Sequence, residues 1–128
     1  MAKYVIQSDD GAVPLGAYSQ GWHAGDFIFV TGTGPVSPEG KVVGDTIEEQ
    51  TDKAIDNLEA ILKADGASLG DVIKVNVHLI DTNLFPRYNE TYKKRFKQPY
   101  PGRTTVGSDL HQVPGMMIEI DCIAYVGD

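Results

Sequence analysis

The segment "GMMIEIDCIAYVG", residues 115–127, decides how this chain folds. Ile118, Ile120, Cys122, Ala124 and Val126 alternate with Met117, Glu119, Asp121, Ile123 and Tyr125. Alternation with a period of two is a strand, with one set of side chains on each side of a sheet. The first set is wholly apolar and belongs against helices. The second mixes Met117, Ile123 and Tyr125 with two carboxylates, and needs a cover of its own.

Working back along the chain, "GRTTVG" (102–107) is a short β-prone run. It is reached through "QPYPGRTTV" (98–106), where two prolines and a glycine deliver the chain to Arg103 by a stiff route. The spacing of Phe85, Tyr88, Tyr92 and Phe96 predicts a helix over 84–97, with Pro86 tolerated in its first turn. That aromatic stripe reads as core rather than as a binding platform. In "DVIKVNVHLI" (71–80), Val75, Val77 and Leu79 share one face, and Lys74, Asn76 and His78 the other. A longer helix starts at Thr46, where Glu49 completes a capping-box pattern. Ala54, Leu58, Ile61 and Leu62 carry its apolar face, and Gly66 ends it. "AYSQGWHAGDFIFVTG" (17–32) reads as two strands about Ala24-Gly25-Asp26, "KYVIQ" (3–7) as a further strand, and 33–44 as an ordered loop.

The order is β-β-β-α-β-α-β-β, an α+β single sheet with two helices on one face, forming one domain over 1–128. Two helices cover one face only. The apolar side chains on the other therefore predict an oligomer, with carboxylates close to the subunit contact.

Composition narrows the function. A net charge of -7 and a pI near 4.8 argue against general affinity for nucleic acid or an anionic membrane. The basic run Lys93-Lys94-Arg95 with Lys97 reads as a solvated helix face. The single cysteine, Cys122, sits in an apolar run and cannot form an intrachain disulfide. No signal-like or membrane-spanning segment is seen, so a cytoplasmic location is expected. His23, His78 and His111 lack ligand spacing, so no metal is expected. "GTGPVSPEG" lacks the lysine and helix of a phosphate loop. Ser19 and Ser108 have no base beside them in sequence.

Arg103 and Glu119 are the residues with chemistry to offer. Each lies near the start of a strand, and one connection joins the two strands. If those strands pair antiparallel, both side chains can flank one end of a cleft. An exposed cross-strand ion pair worth less than about 1 kcal/mol would account for them structurally. Against that stand the restricted approach to Arg103, its small neighbours, and the apolar surroundings of Glu119. A guanidinium in a partly dry site grips a carboxylate with two parallel bonds. A glutamate in apolar surroundings can exchange protons near neutral pH. The combination suits hydrolysis of a small electrophilic organic acid.

Six segments carry a resemblance over essentially the whole chain: "GAYSQG" (16–21), "FIFVTGTGPVSPEG" (27–40), "EEQTDKAIDNLEAILKADGASLGDVIKVNVHLID" (48–81), "YNETY" (88–92), "PGRTTV" (101–106) and "IEIDCIA" (118–124). In order and spacing they resemble the RidA/YjgF family of enamine/imine deaminases, also labelled endoribonuclease L-PSP. The resemblance implies a chorismate-mutase-like fold, and a homotrimer with a central β-barrel, outer helices and sites between subunits. It implies hydrolysis of 2-imino and 2-enamino acids to 2-oxo acids and ammonia, with no cofactor. Arg103 falls on the family arginine that binds the substrate carboxylate, and Glu119 on the glutamate that activates water. Tyr18 and Asn89 match pocket positions, Gly32 matches a backbone contact, and Thr31 stands where many members have serine. Thr105 stands where the deaminases often have cysteine; the family site uses mainly that residue's backbone, so hydrolysis should survive, while a role for a thiol there would not. The family also carries a ribonuclease and translation-inhibitor label, and a trimer that binds a small carboxylate without turnover would need the same arginine.

Overall fold

The computed structural model describes residues 2–128. Its strands are β1 (Lys3–Ile6), β2 (Gly21–Ala24), β3 (Phe27–Thr33), β4 (Val72–Leu79), β5 (Gly102–Gly107) and β6 (Ile118–Tyr125), and its helices α1 (Ile47–Ala64) and α2 (Phe85–Arg95). The strands form one sheet in the order β1-β2-β3-β6-β4-β5. The α+β reading and the chain order of elements hold.

Local chemistry explains where α1 begins and ends. The Thr46 hydroxyl accepts from the Glu49 N–H at 3.1 Å, and the Glu49 carboxylate accepts from the Thr46 N–H at 3.2 Å. Two of the four otherwise unpaired N–H groups are thereby engaged. Asp65 is the last half-helical residue, and Gly66 takes φ +78° just beyond it, a conformation that glycine adopts without strain. Gly25, at φ +59°, turns the β2–β3 hairpin for the same reason.

β6 lies between β3 and β4 and runs antiparallel to both. A central strand has both edges paired, and an antiparallel one can bury one face while the other stays open, as the alternation of β6 does. On the helix side Ile28, Leu58, Val75, Ile118 and Ile120 are fully buried, together with Tyr88 and Tyr92 of the aromatic stripe. Each such aliphatic side chain is worth about 1.5–3 kcal/mol of burial, so this face decides the fold.

The strand pairing differs from the arrangement considered for Arg103 and Glu119. β5 does not pair with β6; it runs parallel to β4 at the edge of the sheet. The reason is topological. β4, α2 and β5 form one strand–helix–strand crossover, and such a connection places its two strands parallel. The helix itself is shorter than the aromatic spacing suggested, because Thr82–Leu84 form a separate 3-10 turn and Phe96 is already extended.

The second face of the sheet is bare. Val5, Trp22, Phe29 and Ile123 are register partners in a row across β1, β2, β3 and β6. Trp22 is 41% exposed and Phe29 43%. Phe27 and Tyr125, also paired, meet edge to face at 5.5 Å. Met117, grouped with this face by its position in the alternation, packs against the helix-side core instead.

Candidate active site

The two chemically distinctive residues occupy different faces. Arg103 pairs in register with Val75, which is fully buried under the helices. Glu119 pairs with His78, whose neighbours Val77 and Leu79 are the buried, helix-facing ones. Register partners share a face. Arg103 therefore lies on the helix side at the edge of the sheet, and Glu119 on the bare side near its centre. Within one protomer they do not flank a common cleft.

Around Arg103 the aromatic stripe turns out to be both core and platform. The guanidinium carbon lies 4.5 Å from the ring centroid of Tyr92, 5.3 Å from Tyr88 and 5.4 Å from Phe85. Rings at these distances attract a cation through their negative faces. The Tyr88 and Thr105 hydroxyls share a hydrogen bond of 2.7 Å, which fixes the Tyr88 ring beneath the guanidinium. Burial raises the pKa of both Tyr88 and Tyr92, so both rings stay neutral. Among the described residues no carboxylate pairs with Arg103, whereas Arg87 and Arg95 both have acidic partners. Asn89, Tyr92, Lys93, Gln98 and Tyr100 line one pocket with Arg103, and no acidic side chain does. Its charge is positioned and left free.

Glu119 sits in a second hollow with Tyr18, Thr31 and Gly32. Its carboxylate rests on Gly32, and a Cβ there would collide with it. That is the close approach glycine permits. The Tyr18 hydroxyl is held by the Leu15 N–H at 3.0 Å. Thus Tyr18, Thr31, Gly32 and Glu119 come together, and Arg103, Asn89 and Thr105 form the other group.

Three buried amides shape the site loops, and sequence reading passed over all three. Asn57 on α1 donates to the carbonyls of Gly34 and Val36 at 2.9 and 2.8 Å. Gln50 donates to Gly44 and Gly115 at 3.1 and 2.8 Å and accepts from the Met117 N–H at 2.7 Å. Gln20 donates to Ser8 and Ala12 at 3.1 and 2.9 Å. The loops on either side of Glu119 are therefore bound to the helix-side core. Gln50 and Asn57 lie one and eight positions beyond the capping Glu49, on the apolar side of α1; that placement was their one signal.

Ser108, without a base in sequence, has one in space: its hydroxyl lies 2.7 Å from His78 Nδ1. Among the described residues no group of histidine, cysteine, aspartate and glutamate side chains could hold a metal ion. Burial pushes the Cys122 thiol up to about 12, so it stays protonated and inert.

Comparison with known proteins assigns this arrangement to a family. The family model described as Endoribonuclease L-PSP matches residues 10–126. The chain belongs to this family, the RidA/YjgF proteins. A RutC family protein of Pyrococcus abyssi is 44% identical over 127 residues, covering 98% of each chain. A 2-iminobutanoate/2-iminopropanoate deaminase of Dermatophagoides farinae is 31% identical, covering 97% of each. The solved structure of E. coli TdcF with bound serine is similar at a TM-score of 0.88 and 32% identity, covering 97% of this chain and 99% of that one. Deaminases of reactive intermediates thus occur among the relatives, beside proteins named only for the family.

Proposed function

We propose that this protein hydrolyses small 2-imino and 2-enamino acids to 2-oxo acids and ammonia, at sites completed between protomers of a homotrimer. The observation that carries the reading is the free, ring-supported guanidinium of Arg103 over a pocket with no acidic lining. Such a group takes a carboxylate in one pose. The bare apolar face of the sheet and the uncovered edge strand β5 are both unfinished. One copy's edge laid on the next copy's face finishes both, and it brings Arg103 and Asn89 of one protomer to the Tyr18, Thr31, Gly32 and Glu119 of its neighbour.

In that site Arg103 holds the carboxylate and so fixes C2 of the imine, removing much of the entropic barrier. Glu119 accepts a proton from water as the water oxygen bonds to C2 and the C=N electron pair moves to nitrogen. The protonated carboxyl then returns that proton to nitrogen, giving the carbinolamine. Glu119 next carries the proton of the new C2 hydroxyl to the same nitrogen, and ammonia leaves as the C–N bond breaks and the C2 carbonyl forms. Thr105 supplies backbone to the site and, through Tyr88, supports the guanidinium.

The test is the rate of disappearance of 2-iminopropanoate, generated in place by an amino-acid oxidase and competed with a semicarbazide trap. The parent shortens the imine's lifetime. Arg103→Ala loses at least about 100-fold in kcat/KM, the scale of a charge-assisted contact made at the reacting substrate. Glu119→Gln loses turnover while still binding pyruvate. Equal rates with and without the protein would refute the reading, and a Glu119→Gln variant as fast as the parent would leave only a carboxylate-binding trimer.

A further inference from the structure

The Arg103 pocket is built for more anionic charge than one carboxylate carries. Asn89, Tyr92 and Lys93 lie three and four positions apart on α2, the spacing that puts side chains on one helix face. With Gln98, Tyr100 and Arg103 they line the pocket, and every one of these side chains can donate a hydrogen bond. The Tyr92 hydroxyl is buried without a partner among the described residues. A buried polar group without a partner carries a desolvation penalty that a ligand oxygen would relieve.

Lys93 is the second cation of this pocket and is not committed elsewhere. The last turn of α2 also holds Lys94 and Arg95, and cations there favour the helix dipole. Arg95 is spent across the helix interface, on Asp52 at 3.1 Å and Asp56 at 2.7 Å. Among the described residues Lys93 has only Glu90, at 3.6 Å, with the two side chains 61% and 67% exposed. Water screens such a pair, so a second ligand carboxylate can displace it.

We propose that the substrates of this site are 2-imino dicarboxylic acids, with Arg103 taking the carboxylate beside C2 and Lys93 the distal one. This rests on the deaminase reading and names its substrate class. Lys93 is then a specificity-determining residue. It touches the far end of the substrate and leaves the reacting carbon to Arg103 and Glu119.

The experiment compares 2-iminosuccinate, made from D-aspartate by D-aspartate oxidase, with 2-iminopropanoate, made from D-alanine by D-amino-acid oxidase. The ratio of kcat/KM, dicarboxylate over monocarboxylate, is expected to exceed about 5 in the parent and to fall about ten-fold in Lys93→Met, the loss of one charge-assisted contact. Lys93→Arg keeps the ratio within about three-fold, and Glu90→Gln raises it by freeing the ammonium. A second readout is calorimetric binding of oxaloacetate against pyruvate, where Lys93→Met should erase the preference. A parent ratio near one, or a ratio that Lys93→Met leaves intact, overturns the proposal while the deaminase reading stands. If the parent accelerates neither imine, the deaminase reading falls, and the binding ratio alone decides whether the dianion pocket is real.

Discussion

The two faces of the sheet differ in one respect that governs everything else about this protein. The helix side is finished within one chain: apolar side chains fill it, and the amides buried at its rim donate to loop carbonyls. The bare side has Trp22, Phe27, Phe29 and Tyr125 in water, beside the carboxylates of Glu119 and Asp121. The first face makes the fold. One chain holds Arg103 and Glu119 on opposite faces, so the reaction proposed above requires a second chain to bring them together.

The sharpest way to break this comparison is to mix protomers. Arg103→Ala and Glu119→Gln are each expected to be inactive alone, with losses of at least about 100-fold. Refolded together, they should regain about a quarter of the parental sites, because one protomer supplies the arginine and its neighbour the glutamate. No recovery would mean that each site is built within one chain.

Neighbouring residues of β3 provide the next test. Ile28 is fully buried on the helix side, and Phe29 lies on the bare side. Ile28→Ala should cost about 2–5 kcal/mol in denaturant melts, as large-to-small core changes do. Phe29→Asp should leave a cooperatively folding chain that elutes as a monomer, with imine turnover lost. If Phe29→Asp elutes like the parent, the bare face is not the contact.

The smallest expected effect lies on β2, one strand in from the edge of the sheet. His23 Nδ1 is 2.6 Å from Asp65 Oδ2, and Nε2 is 2.8 Å from the Gly25 carbonyl. Both neighbours are acceptors, so this geometry favours the doubly protonated ring. Tyr4 stacks on it at 4.7 Å and donates to Asp65 Oδ1 at 2.7 Å. The Asp65 carboxylate, first among the causes, raises the His23 pKa above its ordinary 6.5; the Gly25 carbonyl and the charge of Asp26 act in the same direction. A raised folded-state pKa contributes stability that is complete below 6.5 and is lost as pH rises through the folded value. The stability difference between the parent and His23→Asn should therefore shrink with rising pH. A difference that does not change from pH 5 to about pH 9 would show that the proton contributes nothing.

Much of this molecule is legible in its residues. Thr46 and Glu49 announce the start of α1, and Gly66 its end, because a cap is satisfied by atoms three or four residues away. The alternation in β6 separates a buried face from a half-exposed one for an equally local reason, the two-residue pleat. The pairing of β5 with β4 was legible too, through the strand–helix–strand order, but the single connection between β5 and β6 suggested a closer partner. The role of the aromatic stripe was not legible. Spacing shows that Phe85, Tyr88 and Tyr92 share a face, and nothing in it shows that a guanidinium from residue 103 lies on their rings. The same holds for Gln50 and Asn57, whose partners are backbone atoms 6 to 67 residues away.

By itself, then, the sequence determined the elements, their order, and which sides of them are apolar, since these depend on interactions within a few bonds of chain. Only the tertiary structure decided which face Arg103 and Glu119 each occupy. Facing is set by register against a partner strand, and a shift of a single residue would send either side chain to the opposite face.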